Sequence, residues 1–216
     1  MSFPDVLLAV IKVIGIASFA VAGSLVAINR ELDLFGVVLM GMVTALGGGV
    51  LRDVLLGALP PWAFSNFLYL SVAGLTSFLV FVLMYILHKK EIILEKIDRV
   101  NNLVDALGLG VFTATGTQVV MDTAFSDNPF ICVFLGMLTA VGGGLLRDIM
   151  CDTVPFILKK RIYAIAALAG SLTYYLLSMT VLRGIPNIAL TTALVFTIRV
   201  LATRYKWSFP RITLKR

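Results

Sequence analysis

Two Arg-Asp pairs, Arg52–Asp53 and Arg147–Asp148, each follow three residues behind a run of three glycines, Gly47–Gly49 and Gly142–Gly144. Such a combination offers electrostatic rather than covalent chemistry. A carboxylate near membrane depth offsets the dehydration of a cation, and a guanidinium beside it restrains or gates the passage. The alternative is an interfacial pair that snorkels or serves structure alone. Each glycine costs about 1 kcal/mol of helix propensity relative to alanine. A triplet therefore frees a helix to kink and exposes its carbonyls, which is tolerated inside a membrane where the backbone is buried in protein or lines a watery cavity. Close packing of neighbouring helices is the competing use of small residues.

The motif occurs twice within a longer repeat. Gly41–Asp53 reads GMVTALGGGVLRD and Gly136–Asp148 reads GMLTAVGGGLLRD, identical at ten of thirteen positions, with Val and Leu exchanged at the other three. At the same offset of 95, Pro60 matches Pro155, and at an offset of 93 FAVAGS (19–24) echoes FTATGT (112–117). The duplication thus spans two three-helix units. Repeating a unit with three spans reverses its sidedness, so the second copy is expected upside down, the inverted-repeat plan of many transport proteins. Two inverted glycine triplets coupled to charge pairs point to a central pathway.

The elements that must position these residues are membrane spans. The chain is 59% hydrophobic and 14% charged, with a mean hydropathy of +0.99, where soluble domains carry about a quarter charged residues. Apolar runs predict spans at Val6–Ile28, Leu34–Leu56, Phe67–Leu87, Leu103–Met121, Phe130–Met150, Ile162–Leu182 and Ile185–Thr203. The expected fold is an all-α membrane protein of seven transmembrane helices, two inverted three-helix repeats plus a seventh helix. A single membrane domain covers 1–216: first repeat 1–87, cytoplasmic connector 88–102, second repeat 103–182, seventh helix and basic tail 183–216. The first run has no basic segment before it and reads as a retained span.

Charge distribution sets the orientation. The side of the N-terminus holds two basic residues, Arg52 and Arg183, against fourteen on the other. The C-terminus is therefore expected in the cytoplasm and the N-terminus outside, in a multi-pass protein of the cell's inner (plasma) membrane. The net charge of +6 belongs to this topology and not to a nucleic-acid face. The connector Lys89–Arg99 mixes charges with isoleucines and, with the basic tail, suits anionic membrane lipids.

Further polar residues are candidates for lining a path: Ser18, Ser24, Thr44, Thr113, Thr117 and Thr139, with Thr115 and Gln118 nearby. Their hydroxyls could supply oxygens to a dehydrated cation, although in membrane helices such groups more often bond backbone or a neighbour. Lys12 aligns with Asp105 at the offset of 93, opposite charges at equivalent points of the two halves. His88 reads as solvated, and Cys132 and Cys151, at opposite ends of one predicted helix, lie too far apart to pair. No metal-ligand cluster, cofactor motif or catalytic nucleophile appears, so the chain does not read as an enzyme.

Paired GGG-x-x-Arg-Asp motifs in a seven-span, inverted-repeat chain of this length resemble the prokaryotic trimeric intracellular cation (TRIC) channels, a sequence group that also carries a glycine-transporter label. The resemblance implies a homotrimer with one pore inside each protomer. It further implies that kinked second and fifth helices line this pore and that monovalent cations permeate, chiefly potassium, with sodium as a second candidate. The Lys-Glu-Val signature of the animal channels is absent, Leu145–Leu146–Arg147–Asp148 following the second triplet, so calcium, voltage or phosphoinositide gating is not implied. A secondary transporter binding a small amino acid such as glycine at the glycine breaks is the alternative. A helical scaffold without transport accounts for the spans but not for the doubled motif.

Overall fold

A computed structural model describes residues 3–87, 94–159, 162–180 and 182–207. Among the described residues every regular element is helical: α1 (Phe3–Ile28), α2 (Leu34–Leu55), α3 (Trp62–Ser65), α4 (Phe67–Leu87), α5 (Leu94–Met121), α6 (Pro129–Met150), α7 (Phe156–Lys159), α8 (Ile162–Ser178) and α9 (Ile185–Arg204).

The ends of α2 and α6 show how the repeated sequence sets matching boundaries. The Asp33 side chain accepts the Gly36 N–H at 2.8 Å ahead of α2. Asn128, its counterpart at the 95-residue offset, accepts the Ile131 N–H at 3.1 Å ahead of α6, with Pro129 in the first turn. Each satisfies a donor that helix geometry leaves orphaned. At the other end, the N–H groups of Gly57 and Ala58 return to the carbonyls of Val54 and Asp53, at 3.1 and 2.9 Å. Those of Asp152 and Thr153 return to Ile149 and Asp148, at 3.1 and 2.9 Å. This Schellman closure needs a left-handed residue at its pivot. Gly57 supplies it at φ 70° and Asp152, a less suited residue, at φ 49°.

Each half packs its three main helices on one another: α1 with α2 and α4, and α5 with α6 and α8. The halves join where α2 packs on α6 and α1 on α5, while α9 lies against α5 and α8. Among the described residues no helix takes the equivalent place on α1 and α4. Because lipid is as apolar as leucine, close packing by small residues rather than burial of apolar area drives such contacts. Accordingly α2 buries Gly41, Thr44, Ala45, Gly47 and Gly48. α4 buries only Tyr69, Ala73 and Ser77, one narrow stripe at every fourth position, and turns Phe67, Leu75, Leu79 and Leu83 outward, as a lipid-facing helix should.

Three features depart from the expected layout. Among the described residues six helices are long and apolar enough to cross a membrane, whereas the run expected as Ile162–Leu182 forms the shorter α8. Its 17 residues reach about 25 Å against a hydrocarbon core of about 30 Å. The helix stops because the Ser178 carbonyl accepts Arg183 Nε at 2.9 Å and the Ser178 hydroxyl accepts Asn187 Nδ2 at 2.9 Å, folding the chain back toward α9. Second, α5 begins at Leu94 instead of Leu103, because 94–102 carries no Gly or Pro to end a helix. Third, the segments after the paired prolines form the single turns α3 and α7. His88, Lys89, Lys90, Lys160, Arg161 and the tail residues Arg211, Lys215 and Arg216 lie outside the described residues.

Candidate functional site

The glycine triplets meet where α2 crosses α6. A methyl group on Gly48 would fall on the carbonyl oxygen of Thr139, and one on Gly143 on that of Thr44. A Cβ at Gly47 would stand 2.9 Å from Leu146 Cδ1, and one at Gly142 3.0 Å from Leu51 Cδ1. Residue numbers rise along one helix as they fall along the other, so the two run antiparallel through the crossing. Thr44 and Thr139 occupy the middle turns of their helices, which sets the crossing at half their length. Helical hydrogen bonding runs unbroken through both triplets. Four of the six glycines thus serve the close approach of two backbones.

The third glycine of the first triplet has another neighbourhood. Gly49 lines a cavity of about 410 Å³ between α1, α2, α5 and the α3 segment. Lys12, Arg52, Asp53 and Trp62 contribute its charged and aromatic wall, and Ile16, Phe112, Thr115 and Thr139 its inner part. Arg52 Nε and Nη2 both reach Asp53 Oδ1, at 2.9 and 2.7 Å, while Asp53 Oδ2 accepts the Trp62 N–H at 2.9 Å. The carboxylate therefore fixes α3 as well as the guanidinium. Lys12 Nζ lies 5.4 Å from the centre of the Trp62 ring, within reach of a cation–π attraction. Asp122, in the turn after α5, also feels this ammonium: burial pushes its carboxyl above the ordinary range and Lys12 pulls it partly back.

The second half carries related residues in a filled arrangement. Arg147 Nε and Nη2 pair with Asp148 Oδ1, both at 2.8 Å. A Cβ on Gly144 would stand 3.6 Å from Arg147 Nη2 and 3.7 Å from the Tyr163 hydroxyl. Tyr163 donates to Asp105 Oδ1 at 3.3 Å. Arg199 of α9, only 2% exposed, lies with Nη2 4.0 Å from Asp105 Oδ2 and its guanidinium 4.7 Å from the centre of the Tyr163 ring. On its other side Arg199 lines a second cavity of about 650 Å³, with Arg99, Asn102 and Arg204. Between the two charged regions the equivalent rings Phe19 and Phe112 stack at 5.3 Å. Gly15 lies against Phe112 and Gly108 against Phe19, so Lys12 and Asp105 sit on opposite sides of this stack.

Of the polar positions singled out from sequence, Thr139 lines the first cavity, joined by Thr115. Thr44, Thr113, Thr117 and Thr139 donate to the carbonyls four residues back, at 2.6, 2.7, 2.7 and 2.7 Å. Their protons are thereby committed to backbone. Thr117 also bonds Ser171 at 2.7 Å, whereas Ser18 and Ser24 are buried on α1 outside the cavity wall. Sequence patterns did not single out Trp62, Tyr163 or Arg199. A lone arginine inside the apolar run of α9 was the available signal, because a charge at membrane depth is a functional marker. Among the described residues no group of three His, Cys, Asp or Glu is placed to hold a metal.

Comparisons with known proteins agree with this duplicated architecture. A family model described as glycine transporter matches residues 9–85 and 102–179. The chain is 35% identical over 164 residues to the UPF0126 inner membrane protein YadS of Escherichia coli K12, covering 76% of this chain and 75% of that protein. Among solved structures, one described as the structural basis for conductance through TRIC cation channels shares 31% identity at a TM-score of 0.84, covering all of both chains. The TRIC trimeric intracellular cation channel orthologue of Rhodobacter sphaeroides gives 29% identity and a TM-score of 0.82 over 93% of this chain and 99% of its own. With its two half-length matches, its relatives and its shared fold, this chain is a membrane protein of the UPF0126 (glycine transporter) family, to which the TRIC channels are structurally akin.

Proposed function

We propose that this chain forms a passive channel for monovalent cations, potassium foremost, with a pore inside each protomer between α1, α2, α5 and α6. The observation that carries this reading is the first cavity, which runs from a charged wall to Thr139 in the middle turn of α6. A cation entering there passes the Asp53 carboxylate and reaches threonine oxygens whose own protons are already donated to backbone carbonyls. These oxygens face it as acceptors, replacing water of hydration. The reciprocal antiparallel contacts of the glycine triplets support two inverted halves, seven spans and the same path from the opposite side. The kinship with TRIC channels supports a homotrimer, and the basic-residue bias supports an inner-membrane protein with its C-terminus in the cytoplasm and its connector against anionic lipid.

A carrier of a small amino acid such as glycine is the second reading. It is favoured by one observation besides the family description: the cavity presents Lys12 and Arg52 together with Asp53, charges of both signs within one wall. A zwitterion would find partners for its carboxylate and its ammonium there.

Potassium efflux from loaded proteoliposomes tests the channel. Wild-type protein is expected to dissipate the gradient, and Thr115→Phe, which puts a ring into the cavity, to slow it strongly. Efflux equal for both proteins, with the variant folded, sinks the assignment of this cavity to the path.

A further inference from the structure

The two halves carry equivalent glycine triplets and charge pairs, yet one holds an open cavity and the other a packed cluster. The difference comes from a residue that the duplication does not supply. Tyr163 has its counterpart in Tyr69 at an offset of 94, the register that also matches Ala73 with Ala167 and Ser77 with Ser171, but Arg199 comes from α9, which stands outside the repeat. Among the described residues the nearest atom to a Cβ on Gly49 is Arg52 Nη2 at 3.8 Å, whereas one on Gly144 meets both Arg147 and the Tyr163 hydroxyl within 3.7 Å.

Arg199 is also held differently from the other buried arginines. Arg52 and Arg147 each place two nitrogens within 2.9 Å of a carboxylate oxygen. Among the described residues Arg199 Nε and Nη2 make no hydrogen bond, and the pairing with Asp105 is 4.0 Å long. A structural arginine this deep normally uses its planar fork. Here a carboxylate and an aromatic face attract the positive charge while Nε and Nη2 stay unbonded, which is how they would treat any monovalent cation.

We infer that Arg199 is a tethered cation occupying the place where a permeating cation would sit between Asp105 and Tyr163, and that it closes the second half of the path. This rests on the channel reading. The side chain has somewhere to go, since Arg199 forms part of the wall of the 650 Å³ cavity beyond. When it swings there, Asp105 faces the path. Asp105, at the position equivalent to Lys12, is then a cation site, and the arginine a plug that competes with the ion for it.

Single-channel recording of the full chain in planar bilayers, with Cys132 and Cys151 replaced by alanine, tests this. Arg199→Gln and Arg199→Cys are each expected to raise open probability about tenfold, the effect of removing roughly 1.4 kcal/mol from the closed state. Treating Arg199→Cys with a positively charged aminoethyl methanethiosulfonate should return it toward the parent, and the neutral methyl reagent should not. This restored charge separates a plug from a packing defect, because a misfolded variant cannot be rescued by an ammonium. Unchanged or lower open probability in both variants, or equal effects of the two reagents, overturns the plug while leaving the channel intact. Silence from the parent and every variant overturns the channel reading and the plug with it.

Discussion

Replacing Gly48 by alanine separates close approach from flexibility. An added methyl would fall on the Thr139 carbonyl oxygen and stand 2.9 Å from its carbon and 3.3 Å from the Gly143 nitrogen. All three atoms are helix backbone, so no side chain can rotate away and the two helices must separate. Overpacking of this kind costs about 3 kcal/mol at the upper end of its usual range. Better helix propensity returns about 1 kcal/mol, leaving a net loss of about 2 kcal/mol. Gly49→Ala, one residue on, meets only Arg52 Nη2 at 3.8 Å and should gain up to about 1 kcal/mol from propensity. Equilibrium unfolding in mixed detergent micelles, titrated with dodecyl sulfate, reads both. If the triplets act through chain flexibility, the two substitutions should behave alike. Equal stability changes at Gly48 and Gly49, or a Gly48→Ala protein as stable as wild type, would refute the close-approach argument.

Other outcomes follow from the same geometry. Asp148→Asn leaves the Arg147 guanidinium buried without its charge partner and should lose about 3 kcal/mol in the same titration, with Arg147→Met in addition recovering part of it. Asp152→Gly relieves a left-handed non-glycine pivot at the end of α6 and should gain about 1 kcal/mol or less, read as a higher unfolding midpoint; no gain would mean the aspartate compensates locally. Burial raises the Asp122 carboxyl above its ordinary 3.8. Its contribution therefore favours the folded state at low pH and is lost as pH rises through the raised folded value. Asp122→Asn should abolish that loss, so the wild-type midpoint falls relative to the variant on going from pH 4 to pH 7, and parallel profiles would contradict it.

The parts of the fold that were legible in sequence are those written locally. Hydrophobic runs marked the membrane helices, and Asp33, Asn128 and the residues around Gly57 and Asp152 set the ends of α2 and α6 through short-range hydrogen bonds. The end of α8 was not legible, because it depends on Asn187 and Arg183 of the following segment. The doubled GGG-x-x-Arg-Asp motif marked the crossing. Whether a glycine meets backbone or cavity is decided by the facing helix, so Gly48 and Gly49 look alike in sequence and differ in space. Arg199 is the instructive omission. It falls inside the run expected to form the seventh span and outside the repeat, so an internal comparison gives it no partner, and only the packing of α9 on α5 and α8 brings it to Asp105 and Tyr163.

Recording from purified protein in planar bilayers under asymmetric potassium chloride, followed by addition of glycine, bears most directly on what the cavity carries. A channel predicts unitary current steps that reverse near the potassium potential and are indifferent to glycine. Electrically silent bilayers, with labelled glycine accumulating in proteoliposomes of the same preparation, would contradict it and make the chain a carrier.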